Sequence, residues 1–169
     1  VMPVWRGQFH EHAPGEFQTL VLDGSQNCKQ KGENVHKFLQ HCAILKQRCA
    51  VVVNYDSMIR PGLFDVLLAH RWCMVVADES HKIKGHGTQA SKKSHRIGQR
   101  AGRRLGLTGT PMPHDPGDIF GQYRFLDHTI FGTYWTQFTS RYAVKNKYIP
   151  QKVDLWVNQD EMIEKVNRI

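Results

Sequence analysis

Trp72-Cys73-Met74-Val75-Val76-Ala77 runs directly into Asp78-Glu79-Ser80-His81. A continuous apolar run of this length reads as a strand buried on both faces of a parallel sheet. It stops abruptly at two carboxylates. Downstream, Leu105-Gly106-Leu107 reads as another short apolar strand, ending in Thr108-Gly109-Thr110-Pro111. In an open parallel sheet, ligands bind beyond the carboxyl ends of the strands. Adjacent acids at a strand mouth are costly unless something neutralises them, and a divalent cation does so. An acid so placed can hold Mg2+ on a nucleotide's phosphates while its neighbour orients or deprotonates the attacking water. Taken singly, an Asp-Glu pair after a strand is also commonplace surface polarity.

Outward from this stretch the pattern alternates. Trp5, Phe9 and His12 predict a short helix closed by Pro14-Gly15, and Phe17 to Leu22 a strand ending at Asp23-Gly24. Apolar positions from Cys28 to Cys49 recur at three and four residues, predicting an amphipathic helix across that span. Ala50 to Val53 predicts a further strand buried on both faces, and a short helix follows Pro61. Gly85 to Gly102 is rich in Gly, Ser and Lys and has room for a helix. Helices are expected over Pro116 to Leu126 and within Phe131 to Tyr142. Val153 to Val157 alternates like a strand, and Gln159 to Ile169 begins a helix. Strands alternating with helices imply right-handed crossovers and an α/β fold around a parallel sheet.

The chain has 169 residues, 40% of them apolar, and a net charge of +8, so it can bury a core and is no disordered tail. No apolar run approaches the ~20 residues that a bilayer requires, and no membrane partner is expected. It opens at Val1 without a start Met or signal peptide, which reads as a cut through a longer protein. The four cysteines (Cys28, Cys42, Cys49, Cys73) form no C-x-x-C pair and are expected as buried free thiols rather than zinc ligands. The charge is local. Between Glu79 and Asp115 there is no acid, while Lys82, Lys84, Lys92, Lys93, Arg96, Arg100, Arg103 and Arg104 all lie there. Setting these eight of the 23 basic residues aside leaves 15 basic against 15 acidic. Such a field attracts polyanions. A solvated loop that keeps the protein soluble fits the same charge.

Two motif-like strings are decoys. Gly85-His86-Gly87-Thr88-Gln89-Ala90 fits a dinucleotide fingerprint but does not lie directly between a strand and a helix, and reads as a loop. His95-Arg96-Ile97-Gly98-Gln99 resembles a second-lobe helicase signature in the wrong place.

Asp78-Glu79-Ser80-His81 with Lys82-Ile83-Lys84, followed by Leu107-Thr108-Gly109-Thr110-Pro111, resembles motifs II and III of superfamily 2 helicases. Within that group it is similar to the Swi/Snf-like DNA translocases. Val1-Met2-Pro3-Val4-Trp5 with Phe9 resembles the tail of motif Ia, and Val52-Val53-Asn54-Tyr55-Asp56 resembles motif Ib. Ile119 to Leu126 and Phe131-Gly132 resemble the helix and loop after motif III. The resemblance implies a RecA-like lobe, a P-loop NTPase fold incomplete at its N-terminus, over residues 1–158. Residues 159–169 would start the connection toward a second RecA-like lobe in cis. It further implies ATP as nucleotide, Mg2+ as cofactor and duplex DNA as partner. Asp78 would hold Mg2+, Glu79 would be the general base, and His81 would link motif II to motif III. Thr108, Gly109 and Thr110 would couple nucleotide state to the DNA track. Asn54 and Tyr55 fall in segments that line the DNA path, and Lys92, Lys93, Arg96 and Arg100 would lie on the DNA-facing side. Trp5 falls in such a segment too, but core packing fits it better.

The departures matter as much. No G-x-x-x-x-G-K-[ST] occurs, so the phosphate cradle is missing from these 169 residues, which are not expected to hydrolyse ATP alone. Ser80 stands where the family usually has Ala or Gly. Pro113-His114-Asp115-Pro116 replaces the Gln-Asn pair of many eukaryotic remodellers. This last feature implies a divergent branch, acting in the cytoplasm of a bacterium or phage-infected cell rather than in a nucleus. The alternatives are a non-catalytic nucleic-acid-binding module that keeps the fold, and a restriction-type or replication helicase sharing the lobe.

Overall fold

Parallel pairing is the first consequence of the short apolar runs. In a computed structural model, which describes residues 2–22, 24 and 26–167, the chain divides into two compact units, Val1–Arg71 and Trp72–Ile169. Val1, Asp23 and Ile169, at which sequence features were expected to begin or end, lie outside the described residues.

In the first unit, α1 (Met2–His12) leads into β1 (Gln18–Val21), followed by α2 (Cys28–Ile44) and β2 (Cys49–Val52). Two short helices, α3 (Tyr55–Met58) and α4 (Leu63–Ala69), close it. β1 and β2 are parallel, with Leu20 opposite Val51. Asn27 starts α2 through a capping box with Gln30, its Oδ1 accepting from the Gln30 amide at 3.0 Å. The helix ends five residues before the predicted Cys49. There the Gln47 amide donates to Cys42 O and the Lys46 amide to Ala43 O, while Lys46 takes a left-handed φ of 53°. That pair of bonds is a Schellman stop. Periodicity misses it because a lysine, not a glycine, occupies the left-handed position.

The second unit carries β3 (Met74–Asp78), a 3-10 turn (Ser80–Ile83), α5 (Gln89–Gly98) and β4 (Arg103–Leu107). α6 (Asp118–Leu126), α7 (His128–Phe131) and α8 (Trp135–Tyr142) follow, then a hairpin of β5 (Ala143–Lys145) and β6 (Val153–Trp156), then α9 (Gln159–Val166). The helix expected within Phe131 to Tyr142 is α8, which starts only at Trp135; Gly132, whose φ of 82° suits glycine alone, separates it from α7. Phe120, Phe131, Phe138 and Tyr142 pack with Ile119 and Met162 into one core, with ring centroids 5.0 to 5.7 Å apart. Glu161 joins α9 to α8, taking hydrogen bonds from Arg141, Tyr142 and Lys165. Arg141 first, then Lys165 and Tyr142, hold its carboxyl down at about 2.

Two burial expectations are corrected. Every residue of β2 is half-buried, and the β3–β4 face bearing Met74, Val76, Leu105 and Leu107 is open, each between 39 and 47% exposed. These exposures show that the continuous apolar run is not enclosed on both faces, and among the described residues each of these strands has a single hydrogen-bonded partner. Of the cysteines, only Cys42 is buried; Cys28 and Cys49 are half-buried and Cys73 is exposed. All four are free thiols.

Candidate nucleotide and nucleic-acid site

β3 and β4 run side by side in parallel, with Asp78 opposite Leu107. The acidic pair and the threonine turn therefore leave the sheet at adjacent strand ends. Directly after Asp78 the backbone turns through Glu79, whose φ of 51° and ψ of 53° are left-handed. A non-glycine residue there costs about 1 kcal/mol. Two hydrogen bonds hold the turn: the Glu79 amide donates to Asp78 Oδ1 at 3.0 Å, and Glu79 O accepts from the Lys82 amide at 2.9 Å. The reversal sends Glu79 outward and Ser80 inward, the latter only 3% exposed.

His81 closes the mouth. Its Nδ1 lies 3.1 Å from Thr108 Oγ1 and 3.3 Å from Glu79 Oε2. Because an ionised carboxylate can only accept, this arrangement favours the tautomer with the proton on Nδ1. Thr108 Oγ1 also accepts from the Thr110 amide at 3.1 Å, which shapes the turn around exposed Gly109. Thus Asp78, Glu79, His81, Thr108, Gly109 and Thr110 form one constellation.

Behind it lie residues that sequence reasoning missed. Ser80 Oγ donates to Gln122 Oε1 at 2.8 Å, and Gln122 Nε2 donates to Pro111 O at 2.5 Å and Asp118 O at 3.1 Å. Lys84 Nζ pairs with Asp118 Oδ2 at 2.9 Å. The available signal was Gln122 itself, a polar residue among Ile119, Phe120 and Phe125 on a helix that also buries Arg124.

The basic residues sit on α5 and just beyond it. Thr88 caps this helix, accepting from the Ser91 amide at 3.2 Å, so the fingerprint-like glycine string is a cap and not a dinucleotide loop. Ser91, Ser94, His95 and Ile97 face inward, leaving Lys92 and Arg96 exposed one turn apart; Arg100 is exposed past the helix end and Lys93 is half-buried. Buried Arg124 anchors the inward face, with Nη2 donating to Ser91 Oγ at 2.7 Å and His86 O at 3.0 Å. Arg124 O lies 2.6 Å from His95 Nδ1. Burial lowers the pKa of His95, against the hydrogen bond to Arg124 O, which raises it; the charges of Arg124, His128 and Arg104 act in the same direction as burial. His86, stacked on Trp135, is lowered by burial and then by Arg124 and Lys92.

Asn54 and Tyr55 belong to the first unit. Asn54 is exposed and caps α3, with Oδ1 accepting from the Ser57 amide at 2.7 Å; Tyr55 is half-buried. Trp5 is half-buried beside Phe9, with centroids 6.5 Å apart.

The donor set at the strand mouth consists of carboxylate oxygens. Among the described residues no group of three or more His, Cys, Asp or Glu converges as a closed metal cage. Two neighbouring carboxylates without a cage suit Mg2+, which keeps waters and takes its other ligands from phosphates.

The SNF2-related domain family matches residues 1–169. The chain belongs to this family. It is 28% identical over 131 residues to the DNA repair protein RAD5A of Arabidopsis thaliana, covering 77% of this chain and 12% of that protein. It is 38% identical over 81 residues to the DNA annealing helicase and endonuclease ZRANB3 of Bos taurus, covering 48% of this chain and 7% of that protein. The SNF2-related chain thus spans about an eighth or less of these curated relatives. Its fold is that of the Sulfolobus solfataricus SWI2/SNF2 ATPase core solved in complex with dsDNA, a RecA-like α/β fold. That match has a TM-score of 0.63 at 20% identity over 84% of this chain and 26% of the other.

These relatives correct the expectation of a bacterial or phage-infected cytoplasm, because the curated matches include proteins of plants and animals. The residues behind that expectation have a local explanation. Asp115 Oδ1 accepts from the Gly117 amide at 2.8 Å and Asp118 Oδ2 from the His114 amide at 3.0 Å, so this segment shapes the start of α6. No described helix is long and apolar enough to cross a membrane.

Proposed function

We propose that this SNF2-related chain is the first lobe of an enzyme coupling ATP hydrolysis to movement along duplex DNA. The observation that carries the reading is the parallel register setting Asp78 beside Leu107, which lets His81 span from Glu79 to Thr108. Residues 1–158 would form the ATP-binding lobe. Residues 159–169 would lead toward a second lobe in cis, starting from a helix whose Met162 is locked into the aromatic core.

Asp78 would hold Mg2+, which when bound supplies charge neutralisation on the phosphates. The side chains do the rest. Glu79, exposed at the mouth, accepts the proton of the attacking water. His81 Nδ1–H is shared between Glu79 and Thr108, so a shift of the threonine turn changes how much of that donor the Glu79 carboxylate retains. This links hydrolysis to Thr108, Gly109 and Thr110, and through them to the DNA track. Lys92, Lys93, Arg96 and Arg100 would hold backbone phosphates on the second unit; Asn54 and Tyr55, on the first unit, are assigned DNA contacts of their own. The 169 residues contain no Gly-Lys-Ser/Thr phosphate cradle, so turnover is assigned to a full-length protein carrying this domain and not to the chain alone.

A triplex-displacement assay on the full-length protein tests the reading. Displacement of the third strand should require ATP, Mg2+ and a duplex track, and should be lost in E79Q. DNA binding without nucleotide-dependent displacement or hydrolysis would point instead to a non-catalytic binding module.

A further inference from the structure

Behind the mouth, a second brace joins the same two strand ends. Ser80, next to Glu79, donates its hydroxyl to Gln122 Oε1 at 2.8 Å. Gln122 Nε2 reaches Pro111 O, next to Thr110, at 2.5 Å. Its second proton serves Asp118 O at 3.1 Å, within α6. Ser80 and Gln122 are each 3% exposed.

The hydrogen-bond inventory fixes the amide. Both carbonyls can only accept, so Nε2 must face them, which leaves Oε1 for the serine hydroxyl. Turning the amide over would set Oε1 against two carbonyl oxygens. The helix carrying Gln122 is itself held close. Gly121 lies against the carbonyls of Ile83 and Lys84 so tightly that a side chain there would collide with them. Lys84 and Asp118 clamp the same helix to the same turn at 2.9 Å.

An apolar pair would fill this space without burying polar groups. What the polar pair adds is direction: it aims the Pro111 carbonyl and ties it to the residue after Glu79. We infer that Gln122 is a positioning residue, forming with Ser80 a buried bridge that sets the threonine turn against the acidic pair. The inference rests on the ATPase reading of this site and names a residue outside the acidic and threonine motifs quoted above. His81 to Thr108 braces the mouth; Ser80 to Gln122 to Pro111 braces the base.

The test is the double variant S80A/Q122M, which replaces both partners with apolar groups of similar size. Removing both members of a buried pair can be nearly neutral for stability, whereas removing one is not. Filling is therefore restored while the hold on Pro111 is lost. In the 15N-labelled 169-residue chain, the Thr110 amide, which bonds to Thr108 Oγ1, should exchange about tenfold faster while amides of β3 and β4 keep their rates. In the full-length protein, kcat for DNA-stimulated ATP hydrolysis should fall about ten- to a hundredfold, with KM for ATP within about twofold. A stable double variant with unchanged Thr110 exchange and unchanged kcat would overturn the bridge. Should the double variant not fold, S80A, which lowers stability by leaving Gln122 Oε1 without its donor but keeps Nε2 on Pro111 O and Asp118 O, should show both changes in weaker form; wild-type values in folded S80A would equally overturn it. A wild-type protein without DNA-stimulated hydrolysis would remove the ATPase reading, and Thr110 exchange would then decide the bridge by itself.

Discussion

Glu79 bears two demands at once. Its side chain must stand at the strand mouth, and its backbone must turn left-handed to send Ser80 inward. Glycine would meet the second demand without strain but removes the first. E79G should therefore unfold in urea at an equal or slightly higher midpoint, with a gain of at most about 1 kcal/mol, while losing all turnover in the full-length protein. A clear loss of stability would show that the left-handed turn is not strained. At this scale the sequence is informative where chemistry is carried by side-chain type: Asp78, Glu79, His81 and Thr108 are recognisable from their residue types and spacing, and they meet at the adjacent ends of β3 and β4. It gives Gln122 no role: its apolar neighbours mark an inward amide, but spacing does not show the three partners that hold it. It also misjudged Cys73, which sits just outside β3 and is exposed although its neighbours are apolar.

Elements follow the same division. Strands and helices were legible from periodicity, but their ends were set by hydrogen bonds that periodicity does not encode. α2 stops at Ile44 through its Schellman bonds, and Gly132 separates α7 from α8. The β5 strand was not foreseen, since Ala143-Val144-Lys145 is too short to alternate visibly and is strand only by pairing with β6. α5 illustrates how an element can be basic outside and titratable inside. His95 and His86 are held neutral around buried Arg124, so their folded pKa values lie below the ordinary 6.5. As pH falls below 6.5, the unfolded chain takes up these protons first. The stability they contribute is complete above that pH and is lost as pH drops through the lowered folded values. Urea unfolding of the 169-residue chain should thus show stability decreasing from pH 7 to pH 5, with a shallower decrease in H86Q/H95Q. An identical slope in the variant would assign the acid sensitivity to other groups.

For the whole molecule, charge and chemistry occupy neighbouring parts of one unit: the cationic surface of α5 follows the acidic strand mouth directly in sequence. If that surface holds DNA phosphates, replacing Lys92, Lys93, Arg96 and Arg100 with Gln should lower the slope of log affinity against log salt by up to about four times 0.9 in a full-length protein. An unchanged slope would leave the cluster as a solubilising surface. Composition located this charge but could not say which side chains face outward; the inward set of Ser91, Ser94, His95 and Ile97 decides that.

The central claim is that the two strand ends serve one hydrolytic site. Its most direct test is the DNA-stimulated ATPase activity of E79Q in the full-length protein. The account predicts a fall in kcat of about a hundredfold or more, with ATP affinity nearly unchanged, as expected when a general base is removed. Wild-type kcat in E79Q would contradict it.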